Sequence, residues 1–178
     1  MRIIAIESIV LKLFLASVVG LFLGLEREGK HKALGIKTCM IISITGCLLT
    51  IVSIDFAVSG YQGTFFTGSD PMRLSSQIIS GVGFLGAGVI FRRDDDVISG
   101  LTTAAIVWTA AGFGIAIASG YYLAVGISLL LVHLAVSFLP ALMRKIGPRS
   151  LREQEIYLTI YISSNEPIDT IIEKLNLS

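Results

Sequence analysis

Long apolar runs separated by short polar connections dominate the chain. Five of them are long enough to cross a hydrocarbon core of about 30 Å, which takes about 20 helical residues. They cover residues 3–25, 36–58, 71–91, 99–118 and 121–139. Hydrophobic residues make up 53% of the 178 positions and charged residues 15%, whereas about a quarter of the residues in soluble domains are charged. The pattern predicts an all-α integral membrane protein, a five-helix transmembrane bundle over residues 1–143.

The basic residues of the connections predict the orientation of the bundle, because Lys and Arg are retained on the cytoplasmic side. Ten of them follow the first, third and fifth runs, and only Arg2 and Arg73 lie on the other side. We therefore expect the N-terminus outside and the C-terminus inside. Residues 144–155 are predicted to form a polar linker, and residues 156–178 a strand and a helix. This short cytoplasmic β-α tail is incomplete, because one strand and one helix cannot bury a core.

Small residues recur at helical spacing, and three of them form the pattern GxGxxG at Gly81, Gly83 and Gly86. A dinucleotide site needs a preceding strand and an acidic residue about 20 positions later, but position 106 is an isoleucine and the run is apolar on both sides. We expect no nucleotide there. Small residues in membrane helices instead let neighbouring helices approach closely. The predicted helix-packing positions are Gly20, Gly24, Ser80, Gly81, Gly83, Gly86, Gly88 and Gly114; an alternative for Gly86 and Gly88 is irregular backbone that lines a cavity.

Polar residues near the outer ends of the runs form a predicted outer polar cluster. Asp70 is the expected N-cap of the third helix, with Pro71 as its first residue. A lysine within a span costs about 3 kcal/mol unless it faces other helices, so Lys12 is expected to do so. Asp55 is its predicted counter-charge, with Glu7 or Asp70 as alternatives, and snorkelling to the headgroups is the other possibility. The outer polar cluster consists of Asp70, Arg73, Gln77, Asp55 and Lys12.

Four segments bring polar residues and glycines to the predicted cytoplasmic ends of the helices. This inner polar cluster consists of Glu26, Arg27, Glu28, Lys37, Thr38, Gly100, Thr102 and Thr103. His133 stands alone in the fifth run, where a hydrogen bond to a neighbouring helix is more typical than metal ligation. The acids that follow Arg92 and Arg93 have the oxygen ligands that Mg²⁺ prefers, but a solvated loop is the commoner meaning. Cys39 and Cys47 form no CxxC motif and are expected to pack as small apolar residues.

Three segments of the sequence resemble the MgtC/SapB family of bacterial inner-membrane proteins. They are GLFLGLEREGKHKALGIKT (20–38), DPMRLSSQIISGVGFLGAGVIF (70–91) and SGLTTAAIVWTAAGFGIAIASGYYLA (99–124), the last of which contains Trp108. The resemblance implies five spans with a cytoplasmic C-terminus. It also implies a role in growth under Mg²⁺ limitation and, in pathogens, in survival inside macrophages. Longer members carry a C-terminal ACT-like domain, of which residues 155–176 would be the start.

Two functions follow as expectations. The resemblance favours a non-enzymatic regulator of other membrane proteins, including the proton-translocating ATP synthase. The alternative is a transporter or channel for Mg²⁺ or another cation that works as an oligomer, with Asp70 and Glu26 as the candidate metal contacts. An enzyme is not expected, since acid–base chemistry needs groups within hydrogen-bond reach. We expect no cofactor and no nucleic acid; the expected partners are the membrane, other membrane proteins and further copies of the chain.

Overall fold

The computed structural model describes residues 6–29, 34–60, 70–92, 98–140 and 142. The described part contains five α-helices and one π-helical turn: α1 (Ile6–Glu28), α2 (Ile36–Gly60), α3 (Arg73–Ala87), α4 (Leu101–Ala118), α5 (Tyr122–His133) and the π turn (Leu134–Phe138). Two short strands, β1 (Phe91–Arg92) and β2 (Ile98–Ser99), pair in antiparallel fashion between α3 and α4. The prediction of a mainly helical protein is confirmed.

Three of the described helices are long and apolar enough to cross a membrane, namely Glu7–Glu28, Ile36–Val58 and Leu101–Ala118. The segment Tyr122–Phe138 is apolar but shorter. α3 has 15 residues, which corresponds to a length of about 22 Å. The chain is therefore a helical, multi-pass membrane protein. That it has five spans, and the orientation of these spans, stay predictions.

The third apolar run does not remain helical to residue 91, so the predicted end of this helix is wrong. Its last turn tightens, because the N–H of Val89 bonds the carbonyl of Gly86 and the N–H of Ile90 bonds that of Ala87. Phe91 then pairs with Ser99 across the strands. A glycine followed by two β-branched residues disfavours continued helix, whereas hydrophobicity alone does not register this change.

The core lies between α1, α2, α4 and α5, and α2 packs against both α1 and α4. Several of its fully buried residues are small: Ala16, Cys39, Cys47, Ala110 and Ala118. Both cysteines are free and buried, as predicted. Small buried side chains bring the helix backbones close together, which is the packing mode expected between membrane helices.

α3 is attached to the bundle by a narrow stripe. Only Ser75, Val82 and Gly86 of this helix are buried. The Ser75 hydroxyl lies 3.2 Å from that of Thr50 in α2, and Ser53 donates a hydrogen bond to the carbonyl of Pro71. Most of the α3 surface is consequently uncovered by the described chain.

The chain divides into two compact units, Met1–Ser137 and Phe138–Ser178. The five α-helices and both strands lie in the first unit. Of the second unit the structure describes residues 138–140 and 142. The predicted linker and β-α tail lie outside the described residues and stay predictions.

Candidate functional site at the ends of α1 and α4

Arg27, in the last turn of α1, reaches the first turn of α4. Arg27 is 2% exposed. One terminal nitrogen of its guanidinium, Nη2, donates a short hydrogen bond to Oγ1 of Thr103. The Nε atom is buried and has no hydrogen-bond partner. The structure thus brings together two members of the predicted inner polar cluster that are 76 positions apart in the sequence.

Glu26 and Glu28 flank Arg27 and contact other elements. The side chain of Glu28 accepts a hydrogen bond of 3.4 Å from the N–H of Ile36, the first residue of α2. Consecutive helical residues point about 100° apart, so the three residues Glu26 to Glu28 face three different neighbours. This short polar sequence is therefore the place where the end of α1 meets three other elements.

Glu26 binds two residues that the sequence did not assign to the cluster. Oγ of Ser137 donates a hydrogen bond of 2.8 Å to Oε1 of Glu26, and Nδ1 of His133 lies 3.5 Å from Oε2. The Glu26 side chain is 8% exposed, whereas that of His133 is 65% exposed. His133 contacts a neighbouring helix, as expected. The signal that could have revealed both residues is their spacing of four, which places them on one helical face.

Gly100 joins β2 to α4 in a conformation that favours glycine. Its φ is 93°, and a Cβ there would lie 2.9 Å from the carbonyl carbon of Val89 and closer still to its oxygen. The other predicted members, Lys37, Thr38 and Thr102, form no hydrogen bond with the cluster within the described residues. Lys37 and Thr102 are exposed and Thr38 is half-buried.

Lys12 turns into the bundle, as expected, but its predicted partner is wrong. Its Nζ donates a hydrogen bond of 2.6 Å to the carbonyl of Ala118, at the end of α4. Asp55 is exposed, and in the described part of the chain Lys12 pairs with none of the predicted acids. The last carbonyls of a helix lack intrahelical donors and form the negative end of its dipole, so the backbone of α4 takes the place of a carboxylate.

The other members of the predicted outer polar cluster do not assemble. Oδ1 of Asp70 accepts a hydrogen bond of 2.8 Å from the N–H of Met72, so Asp70 caps the turn that leads into α3. The helix itself begins at Arg73, two residues later than predicted. Arg73 and Gln77 are exposed, and their side chains form no hydrogen bond with Asp70 among the described residues. The N-cap position of α3 is Met72, and no side-chain hydrogen bond caps the helix, so the prediction of Asp70 as its N-cap is wrong. The described residues do not form the outer polar cluster as predicted.

The predicted packing glycines fall into two groups. A Cβ at Gly20 would lie 2.7 Å from Cα of Met40, at Gly24 2.9 Å from N of Ile36, and at Gly114 2.9 Å from N of Cys47. These three glycines allow α2 to approach α1 and α4. A Cβ at Gly86 would make ordinary contact with α4, 3.6 Å from Cβ of Ala104.

The second group meets no other helix of the described chain, so the helix-packing role of these positions stays a prediction. Beyond the adjacent residues of α3, no atom of the described chain lies within 4 Å of a Cβ at Gly81 or Gly83, and a Cβ at Gly88 would meet only the preceding turn of its own segment. Ser80 is exposed and bonds the carbonyl of Ser76 in the same helix. The reason is the narrow contact of α3, which directs these residues away from the bundle.

No group of three potential metal-ligating side chains occurs among the described residues. Of the two candidate metal contacts, Glu26 is held by Ser137 and His133, and Asp70 by the N–H of Met72. Both carboxylates therefore already have structural hydrogen bonds or charge contacts.

The chain is similar in sequence to known bacterial proteins. The sequence matches the family model of the MgtC family over residues 13–145. It is 47% identical to "Protein SapB" of Bacillus subtilis (strain 168) over 168 residues, 94% of this chain and 72% of the relative. It is 36% identical to "Putative magnesium transporter YhiD" of Escherichia coli (strain K12) over 113 residues, 64% of this chain and 52% of the relative.

"Protein MgtC" of Brucella abortus (strain 2308) is 36% identical over 105 residues, 59% of this chain and 40% of the relative. No solved structure matches the chain. The family match includes α2 to α5 and most of α1, and the resemblance found in the sequence is thereby confirmed. This chain belongs to the MgtC family of membrane proteins.

Proposed function

We propose that this protein is a non-enzymatic regulator in the bacterial inner membrane that binds another membrane protein through the uncovered face of α3. The observation that carries this proposal is a stripe of small residues that meets no helix within the described part of the chain. The stripe consists of Ser76, Ser80, Gly83 and Ala87, all of them exposed. We call it the α3 stripe.

The position of the α3 stripe suits a partner helix. At 100° per residue its centre lies about 110° around the helix from the buried stripe Ser75, Val82 and Gly86. A second helix can therefore pack against α3 while α3 stays attached to α4. Ser76 and Ser80 donate their hydroxyl hydrogens to carbonyls of α3 itself, over 2.8 and 3.1 Å. The stripe consequently allows the backbone of a second helix to approach closely, and close approach drives the association of membrane helices. It does so without leaving a buried hydroxyl group unpaired.

The resemblance to MgtC/SapB proteins supplies the class of partner. A regulator of this kind would act on a helical membrane complex such as the proton-translocating ATP synthase during growth at low Mg²⁺, with the C-terminus of the chain in the cytoplasm. A further copy of the chain is the second partner that the α3 stripe fits, since the same small-residue geometry serves homo-oligomers.

Magnesium transport is the second candidate, because the name of YhiD assigns that activity to a relative. The charges inside the bundle disfavour a cation path through a single protomer. Of the described charged side chains, Lys12, Glu26 and Arg27 are the ones that are half-buried or buried, so two cations accompany one acid. Cation paths are usually lined by acids or by backbone carbonyls. A transporter would therefore have to build its path between protomers.

A matched pair of glycines tests the proposal. Gly83→Leu places a large side chain on the α3 stripe, and Gly126→Leu makes the same change on α5, where a Cβ likewise meets nothing within 4 Å. We expect quantitative mass spectrometry of the tagged protein from native membranes to show ATP synthase subunits with the parent chain and Gly126→Leu, and at least tenfold less with Gly83→Leu.

Measurements of Mg²⁺ flux test the alternative of transport. The purified chain in liposomes is expected to show no saturable Mg²⁺ uptake. Saturable uptake that Asp70→Ala or Glu26→Gln abolishes, together with equal partner recovery in both glycine variants, would replace regulation by transport.

A further inference from the structure

The end of α1 and the start of α4 combine two sources of positive potential at one place. Arg27 is almost completely buried and lies against the first turn of α4 through Thr103. A helix N-terminus is the positive end of the helix dipole. A guanidinium and this end of a helix repel each other, so their juxtaposition calls for a negative group between them.

The backbone at the start of α4 lacks the usual side-chain cap. Gly100 occupies the cap position and has no side chain, and no side-chain hydrogen bond caps the helix. The first bond from an N–H of α4 to the carbonyl of Gly100 is made by Ala104, over 2.9 Å. The amides of the three residues before it, Leu101 to Thr103, have no acceptor in their own helix. These amides and the Arg27 guanidinium belong to the same corner of the bundle.

No described acid neutralises Arg27. The Glu26 carboxylate is bound by Ser137 and His133, and that of Glu28 accepts from the start of α2. The Nε atom of Arg27 is buried without a partner. Buried charges in proteins are ordinarily paired. Arg27 instead has a single neutral hydrogen bond, to Thr103, among the described residues.

We propose that this corner is an oxyanion site that takes a phosphate group. Arg27 would supply charge-assisted hydrogen bonds, and the free amides of α4 would supply neutral ones, the combination that proteins use for phosphate. Leu101 and Thr102 are exposed, which leaves the first turn of α4 open from the surface. We call the group formed by Arg27, Thr103 and the amides of residues 101–103 the α4 corner.

Two sources of phosphate share this chemistry. The α4 corner lies at the ends of two helices that are long enough to span a membrane, which is the depth of lipid headgroups. The ligand is therefore either the phosphate of a phospholipid headgroup or a free phosphate. The site is independent of the α3 stripe, so its absence would leave the proposed function untouched.

The experiment uses the full chain purified in a neutral detergent. One arm adds phosphatidylglycerol, and its control adds a glycolipid that has a similar acyl region and no phosphate; native mass spectrometry counts the bound lipids. The second arm titrates inorganic phosphate against chloride at constant ionic strength, followed by calorimetry. We expect phosphate-dependent binding in one arm, and the arm identifies the source.

Two charge variants test whether Arg27 carries the binding. Arg27→Gln removes the buried charge and keeps a hydrogen-bond donor, whereas Lys37→Gln removes an exposed charge from the start of α2. We expect affinity for the phosphate group to fall at least tenfold in Arg27→Gln and less than twofold in Lys37→Gln. Equal losses in the two variants, or no phosphate-dependent binding by the parent chain, would overturn the proposal.

Amide hydrogen exchange tests the site in the parent chain alone, so the result does not depend on whether a variant folds. Amides of residues 101–103 without acceptors exchange rapidly, and a bound phosphate is expected to slow their exchange at least fivefold. Unchanged exchange in these amides at saturating phosphatidylglycerol and phosphate contradicts the assignment. A second result would also contradict the assignment: phosphate binding that arises only when Asp94, Asp95 and Asp96 are all replaced by asparagine. In that case an acid of the chain itself would be the partner of Arg27.

Discussion

A pair of glycines two residues apart in α4 gives the sharpest test of the helix packing. A Cβ at Gly114 would lie 2.9 Å from N of Cys47 and closer still to the carbonyl oxygen of Ser43, both in the α2 backbone. A Cβ at Gly112 would meet nothing within 4 Å. Gly114→Ala and Gly112→Ala are the same change in the same helix, so the helix-propensity gain from removing a glycine is common to both.

The expected magnitudes follow from these contacts. The closest ordinary approach of carbon to a carbonyl oxygen is about 3.3 Å, so Gly114→Ala forces α4 and α2 apart by about 1 Å. Because rigid backbone on both sides resists this shift, we assign it the upper end of the usual overpacking cost, about 3 kcal/mol. The alanine returns up to about 1 kcal/mol of helix propensity. Gly114→Ala should therefore lose about 2 kcal/mol, and Gly112→Ala should gain up to about 1 kcal/mol.

The assay is equilibrium unfolding in mixed micelles titrated with sodium dodecyl sulfate. Trp108, the single tryptophan of the chain, lies in α4 beside α5 and serves as the fluorescence probe. The parent chain and both variants are compared by the free energy of unfolding. Equal stability of Gly114→Ala and Gly112→Ala would refute the close approach of α2 and α4 at this crossing.

Substitutions at three other positions probe contacts of the same bundle. Gly100→Ala forces an alanine into a left-handed conformation against the preceding chain, and it should cost at least about 2 kcal/mol. Lys12→Met should change stability by less than about 1 kcal/mol, since an apolar side chain replaces a half-buried charge, whereas Lys12→Glu should cost at least about 3 kcal/mol by placing an anion against the Ala118 carbonyl. Ser137→Ala should cost about 1–2 kcal/mol, because it removes a donor from the buried Glu26 carboxylate.

These three predictions share the unfolding assay and have distinct contrary results. A Gly100→Ala variant as stable as the parent chain would mean that the turn before α4 tolerates a side chain. Equal effects of the methionine and glutamate variants at Lys12 would show that its bond to Ala118 is not formed. A Ser137→Ala variant as stable as the parent chain, with Ser128→Ala in α5 for comparison, would show that the contact between the π turn and Glu26 is not formed.

The helices and their order could be predicted because apolar length is a local property of the chain. The end of α3 could not, since the same apolar run continues from helix into strand at Phe91. The partner of Lys12 was missed for another reason. Charge pairing considers side chains, whereas the acceptor is the backbone carbonyl of Ala118, which every residue type possesses.

For the site, the sequence could predict which residues lie at one level of the membrane, but not the direction in which each helix faces. The charge pattern brought Arg27 and Thr103 to one level of the membrane, and the structure joins them. The charge pattern could not show that Glu26 faces His133 and Ser137. The direction in which a helix faces depends on packing against its neighbours and not on its own hydrophobicity. For the same reason the packing glycines could be recognised as a class, but Gly114 could not be separated from Gly83 before the bundle was known.

The most direct measurement of the central claim is photo-crosslinking in native membranes from a single position on the α3 stripe. A photoreactive amino acid at position 80 samples the stripe, and one at position 123, where Leu123 is 79% exposed on α5, samples another uncovered surface. We expect a discrete protein product at position 80, identified by mass spectrometry as one membrane partner or a second copy of the chain, and only lipid products at position 123. Lipid products alone at position 80, or the same protein products at both positions, would contradict the central claim.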